Sequence, residues 1–204
     1  MVLAFIHQKG GTGKSTLAIA TAIWLAKRGR KVLLLDVDTQ GTSSNWGRRY
    51  GKKFGVEALA QHARLVAKDV AEYREEYEDL ILDLPPTVTA QTEKAIEVAD
   101  ALIIPTRPSQ SDIWALDRLI ALILVSERKP APPYFVVFNQ SEPDDIMDFK
   151  GQLAMRRVPY SETCVPLSKD WPKIYLGKEL TDEMDRIIGS ILHDIPAENS
   201  FYPM

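Results

Sequence analysis

The sequence predicts an α/β fold, a doubly wound and mostly parallel sheet flanked by helices, on three observations. Short apolar runs of strand length alternate with stretches of helical period. Three of those runs end in residues that carry chemistry, at positions 10–15, 36–40 and 83–86. Ends of this kind converge only if their strands lie parallel in one sheet, whose carboxyl edge is where ligands bind in open α/β folds.

Composition sets the outer bounds. The 204 residues are 45% hydrophobic, enough for one α/β domain with a substantial core. The formal net charge of -3 excludes a surface that is basic throughout. Cys164 is the only cysteine, so no internal disulfide forms and a reducing compartment suits the chain; its apolar, proline-flanked setting reads as packing rather than nucleophilic chemistry. The chain enters its first apolar run at once, and no stretch approaches the roughly 18 apolar residues of a membrane span, so a cytoplasmic protein is expected.

The first strand, residues 2–6, leads into Gln8-Lys9-Gly10-Gly11-Thr12-Gly13-Lys14-Ser15-Thr16, and helical spacing then begins at Leu17, Ile19, Ala20 and Ile23. Glycines at a strand-to-helix turn let backbone amides and the helix N-terminus face an anion. Lys14 offers a point charge for terminal phosphates and Ser15 a hydroxyl for Mg²⁺, so a nucleoside triphosphate is the natural guest. Gly29, behind Lys27 and Arg28, ends this helix. A second strand over 31–36 delivers Asp36 and Asp38 to the same edge. Residues 58–78 carry Leu59, Ala63, Val66, Val70 and Tyr73 at helical spacing and predict an amphipathic crossover helix.

Residues 80–84 form a third buried strand that runs through Asp83 into Pro85-Pro86, and 101–105 a fourth. Ser111 or Asp112 is the expected N-cap of a helix over 113–126, with Trp114, Leu116, Leu119, Ile120, Ile123 and Leu124 as its core stripe. A fifth strand, 134–139, ends at Asn139, and a short strand-like run covers 158–166. Leu180, Met184, Ile187, Ile188, Ile191, Leu192 and Ile195 line one face of a final helix docked on the sheet, whose polar face is acidic; 196–204 reads as a flexible tail. His7, His62 and His193 are scattered, and a histidine beside the glycine turn reads as structurally satisfied. Basic residues gather in two stretches, Arg48, Arg49, Lys52, Lys53, Arg64 and Lys68 in one and Lys150, Arg156, Arg157, Lys169, Lys173 and Lys178 in the other.

The run Lys9-Gly10-Gly11-Thr12-Gly13-Lys14-Ser15 resembles the deviant Walker A motif K-G-G-x-G-K-[ST] of the ParA/MinD family of dimerising P-loop ATPases. Asp36-Val37-Asp38-Thr39-Gln40 is similar to the family's D-x-D-P-Q switch, with Thr39 in place of proline, and residues 80–86 to its hhhhD-x-P-P segment. The resemblance runs in order over nearly the whole chain and implies one ATPase domain over residues 1–195. It implies that Asp38 orients the attacking water, that Ser15, Asp36 and Asp83 serve the metal, and that Lys9 reaches the partner's phosphate across a sandwich dimer. Residues 10–16 would hold the phosphates, with Asn139 and the backbone near Pro166 beside the adenine.

That resemblance implies hydrolysis of ATP with Mg²⁺, a homodimer in the ATP state, and non-specific DNA binding on the nucleoid, for which Arg156, Arg157, Lys169 and Lys173 are the first candidates. An adaptor of the ParB or McdB kind would stimulate hydrolysis and release the dimer, so that a plasmid, chromosome locus or protein organelle such as the carboxysome is segregated or positioned. Two alternatives are a metabolic ATPase of the cobyrinic acid a,c-diamide synthase type and a membrane-surface ATPase like MinD. The acidic final helix argues against the second, since it would be repelled by anionic lipid.

Overall fold

The computed structural model describes residues 1–61 and 67–195. Six strands, β1 (Val2–Phe5), β2 (Val32–Asp36), β3 (Val56–Ala60), β4 (Asp79–Asp83), β5 (Ala101–Thr106) and β6 (Tyr134–Phe138), form one sheet in the order β3-β2-β4-β1-β5-β6. Every neighbouring pair is parallel. The inner strands β1, β2 and β4 are buried along their whole length and are apolar apart from their terminal aspartates, because helices cover both of their faces.

Alternation along β1 divides the core. Leu3 and Phe5 join the layer of α1 (Lys14–Ala26) and α8 (Asp182–His193), while Val2 and Ala4 join the layer of α5 (Ala90–Val98) and α6 (Gln110–Val125). Helix α8 starts at Thr181, whose hydroxyl accepts from the Met184 amide, and buries Met184, Ile188, Ile191 and Leu192, as its apolar face predicts. Trp24 of α1 donates its indole N–H to the Asp185 carbonyl, and the Arg28 guanidinium stacks on that indole while pairing with the Asp185 carboxylate.

Register sets the site. Phe5 pairs with Asp83 and Asp36 with Asp83, so β1, β2 and β4 end at one level and present their following loops together. After β2 the chain forms α2 (Thr42–Trp46), a π-helical turn (Gly47–Gly51) and α3 (Lys52–Phe54) before β3; α4 (Ala67–Glu76) precedes β4, and α7 (Met147–Met155) follows β6.

Three sequence expectations are corrected. Residues 58–60 belong to strand β3, not to a crossover helix; Val56 is buried while Leu59 lies at the exposed edge, and helix begins among the described residues only at Ala67. Ser109, not Ser111 or Asp112, caps α6, its hydroxyl accepting from the Asp112 amide, which frees Ser111 and Asp112 to meet Lys9. Leu116, Leu119 and Ile123 pack as expected, but Trp114 and Leu124 are 62% and 55% exposed, because a helix on one sheet face buries only one stripe. His62, Ala63, Arg64, Val66 and the tail over 196–204 lie outside the described residues. No helix among the described residues is long and apolar enough to cross a membrane.

Candidate functional site

The loop between β1 and α1 rises from the sheet edge and returns through Gly13, which caps α1 at φ 96°. No L side chain adopts that angle comfortably, and a methyl group there would also collide with the Asn139 amide. The two residues that follow β6 clasp the loop: Asn139 Nδ2 donates to the Thr12 carbonyl at 2.7 Å and Gln140 Nε2 to the Gly11 carbonyl at 3.1 Å. Gly10, Gly11, Gly13, Lys14, Ser15 and Thr16 line a cavity of about 290 Å³, which Asp38, Thr42 and Tyr175 border from the other side.

Lys14 is buried, and its Nζ donates to the Lys9 carbonyl at 3.1 Å. Burial pushes its pKa down, against the pull of Asp83 and Asp38. A cation already stripped of water and aimed across the loop is arranged to receive anionic oxygens. His7 is buried behind the loop and accepts from the Lys9 amide at Nδ1, 3.0 Å; burial lowers its pKa to about 4, so the ring is neutral and acts as a support.

Asp83 is fully buried, its Oδ2 receiving the Ser43 hydroxyl and its Oδ1 without a partner. Burial raises its pKa to about 7, against hydrogen bonds from Ser43 and Ser15 that lower it. A buried carboxylate oxygen beside a serine hydroxyl fits a hard divalent cation. No cluster of three or more His, Cys, Asp or Glu side chains suited to a metal occurs among the described residues.

The two carboxylates of the second strand end do different work. Asp36 is buried with its oxygens on the amides of Asp38, 3.2 Å, and Ser44, 2.7 Å, so it shapes the loop and starts α2. Asp38 is half-buried, accepts from the Gln40 amide at 3.0 Å and borders the cavity. Lys9 extends away from its own loop: Nζ donates to Ser111 Oγ at 2.6 Å and lies 3.3 Å from Asp112 Oδ2. Burial would raise the Asp112 pKa, but Ser109, Lys9 and Arg107 together hold it below the ordinary aspartate value.

Pro166, Asn139 and Thr16 share a second, smaller recess of about 100 Å³ with Trp171 and Pro172. Tyr175 and Gln140 are additions that sequence reasoning missed. The Tyr175 hydroxyl shares a 2.9 Å hydrogen bond with Thr16, and burial pushes its pKa up to about 12; Gln140 holds the left-handed φ of 58°. Neither carries a local motif.

Residues 3–192 match the family model of the CobQ/CobB/MinD/ParA nucleotide binding domain. The chain belongs to this family. A maintenance of carboxysome distribution protein A from Halothiobacillus neapolitanus is 33% identical over 93% of this chain and 95% of its own length. One from Gloeobacter kilaueensis is 34% identical over 56% of this chain, which spans only 53% of that relative. Among solved structures, a Borrelia burgdorferi plasmid partition protein bound to AMPPNP superposes with a TM-score of 0.75 at 17% identity, covering 95% of this chain and 97% of that one.

The four basic residues that the sequence offers first for DNA do not form one group. Arg156, at the end of α7, pairs with Asp117 on α6 at 3.5 Å, and Arg157 follows it beside the α5/α6 layer. Lys173 belongs to the 3₁₀ turn Trp171–Leu176 on the α1/α8 layer, with Lys169 just before it, and pairs with Asp170 at 2.6 Å.

Proposed function

We propose that the chain is a Mg²⁺-dependent ATPase of the ParA/McdA kind, one catalytic domain over residues 1–195 that dimerises with ATP, binds DNA without sequence preference and positions a cargo. The observation that carries the nucleotide reading is the buried, unpartnered Asp83 Oδ1 beside Ser15, one strand from the glycine turn that Lys14 spans. The site needs a divalent cation and phosphate oxygens to be electrostatically complete.

In this reading backbone amides over residues 10–16 and the Lys14 ammonium hold the phosphates, and Asn139 and Pro166 border the base. Ser15 and Asp83 would hold Mg²⁺, with Asp36 shaping the loop beside them; the ion, when bound, neutralises charge on the phosphates. Asp38, hinged on Asp36, orients the water, and Lys9 leaves Asp112 to reach the partner's nucleotide. ATP then favours the dimer because only the dimer completes the phosphate contacts. Positioning of a cargo is supported by the likeness to a carboxysome distribution protein over nearly the full length of both chains, and the proposed cycle includes an adaptor that stimulates hydrolysis.

Phosphate release with ATP and Mg²⁺ tests the enzyme, and ATP-dependent retention on arbitrary duplex DNA tests the switch. Activity in the wild type and none in Lys14→Ala supports the ATPase. An active enzyme that ignores DNA in every nucleotide state overturns the positioning role and favours a metabolic ATPase.

A further inference from the structure

The two basic stretches lie far apart in sequence, yet the fold joins part of one to part of the other. Trp46 Nε1 donates to the Ile174 carbonyl at 2.9 Å, Lys53 Nζ donates to the Gly177 carbonyl at 2.8 Å, and the Tyr50 ring lies flush on Gly177, where a methyl group would collide with it. The turn Gly47–Gly51 and α3 therefore pack beside the turn Trp171–Leu176. Arg48, Arg49, Lys52, Lys53, Lys173 and Lys178 are all exposed along the junction.

The turn itself is built to this end. It is π-helical, a geometry that is rare and concentrated at functional positions. Its glycines press against β3, where a methyl on Gly47 would strike Ala58 and one on Gly51 the Val56 carbonyl. With its glycines on the strand, the turn presents Arg48 and Arg49 to solvent. Arg48 and Lys52 also line an open groove of about 510 Å³ together with Lys31. Among the described residues the acidic groups here are already engaged: Glu179 faces Lys53 at 3.0 Å, Asp170 faces Lys173, Glu76 faces Lys31 at 3.1 Å, and Glu57 accepts the Tyr77 hydroxyl at 2.6 Å. Arg48, Arg49, Lys52 and Lys178 have no ion-pair partner among the described residues.

We propose that this composite face, Arg48, Arg49 and Lys52 with Lys173 and Lys178, is the surface that grips the phosphate backbone of duplex DNA, and that Arg156 and Arg157 are not. The inference rests on the DNA-binding reading above and adds the place where binding occurs. Exposed guanidinium and ammonium groups supply sequence-independent affinity through contacts to phosphates and release of counterions.

The test compares retention on a mixed-sequence duplex, with ATP and Mg²⁺, across a salt series. The variants are Arg48→Ala/Arg49→Ala/Lys52→Ala, Arg156→Ala/Arg157→Ala, and Arg48→Lys/Arg49→Lys as a check that charge rather than packing is read. The triple variant should bind at least about tenfold more weakly, with a salt slope shallower by roughly two to three, about 0.9 for each phosphate no longer neutralised. The lysine pair and Arg156→Ala/Arg157→Ala should stay within about threefold of wild type, equivalent to under about 0.7 kcal/mol. Wild-type retention with the triple variant binding equally well, or a loss seen only in Arg156→Ala/Arg157→Ala, overturns the placement while leaving DNA binding intact. No retention by the wild type itself overturns the DNA reading, and the placement falls with it.

Discussion

Lys9 Nζ lies 3.3 Å from Asp112 Oδ2, so the lysine proposed to cross to a partner is held here within its own chain. Asp112 is almost wholly buried and is also approached by Arg107 at 3.4 Å. The same ammonium cannot occupy both places, and release from Asp112 is a cost on the way to the dimer. Asp112→Asn should therefore lower the protein concentration at which the ATP dimer forms by roughly three- to tenfold, about 0.7–1.4 kcal/mol. Sedimentation across a concentration series reads it; an unchanged or weaker ATP dimer would show that the contact does not compete with dimerisation.

Gly13 and Gly10 make a contrast within one loop. Gly13→Ala meets both a positive φ and the Asn139 amide, and it should lose nucleotide binding by tenfold or more and about 1–3 kcal/mol of stability. Nothing lies within 4 Å of a methyl built on Gly10, so Gly10→Ala should keep its unfolding midpoint. Equal thermal shifts in the two variants would contradict the clasp between Asn139 and the loop.

The His7 ring couples stability to pH. Its folded-state pKa is depressed to about 4, chiefly by burial, from an ordinary 6.5. Between those values the unfolded chain binds a proton that the folded chain refuses, so stability is present above pH 6.5 and lost as pH falls towards 4. The loss is on the order of 3 kcal/mol. Denaturant unfolding of wild type and His7→Asn at pH 7 and pH 4.5 should show the wild type losing more; parallel losses would refute the assignment.

Asp83→Asn keeps the shape of the buried group and removes its charge. Wild type should bind an ATP analogue about tenfold or more tightly with Mg²⁺ than with chelator, a gain of at least about 1.4 kcal/mol, and the variant should show little difference. A full Mg²⁺ effect in the variant would remove Asp83 from the cation site.

Sequence made most of this site legible because its residues end strands or sit in the glycine turn that follows one. Asp36 and Asp83 each close an apolar run that has no other reason to stop in a carboxylate, register brings them level, and Lys14 follows the glycine turn that leaves β1 beside them. Strand β3 was hidden because Leu59 falls at helical spacing with Val66, Val70 and Tyr73 in the sequence, and pairing with β2 decides the matter. The N-cap of α6 slid to Ser109 because three neighbouring residues can all cap; the Asp112 amide selects the Ser109 hydroxyl, and Ser111 and Asp112 turn to Lys9. Tyr175 and Gln140 reach the cavity from turns distant in sequence, so no local pattern marks them. The junction of Lys53 with Gly177 is likewise a tertiary fact, which is why the basic stretches read as separate.

In the proposed cycle ATP, held but not hydrolysed, joins two copies. Sedimentation velocity of Asp38→Ala with ATP and Mg²⁺, beside the same protein with ADP and beside Lys14→Ala with ATP, tests it most directly. The account predicts a dimer for Asp38→Ala with ATP and monomers in the other two samples. Monomers in all three, with ATP binding to Asp38→Ala verified, would contradict it.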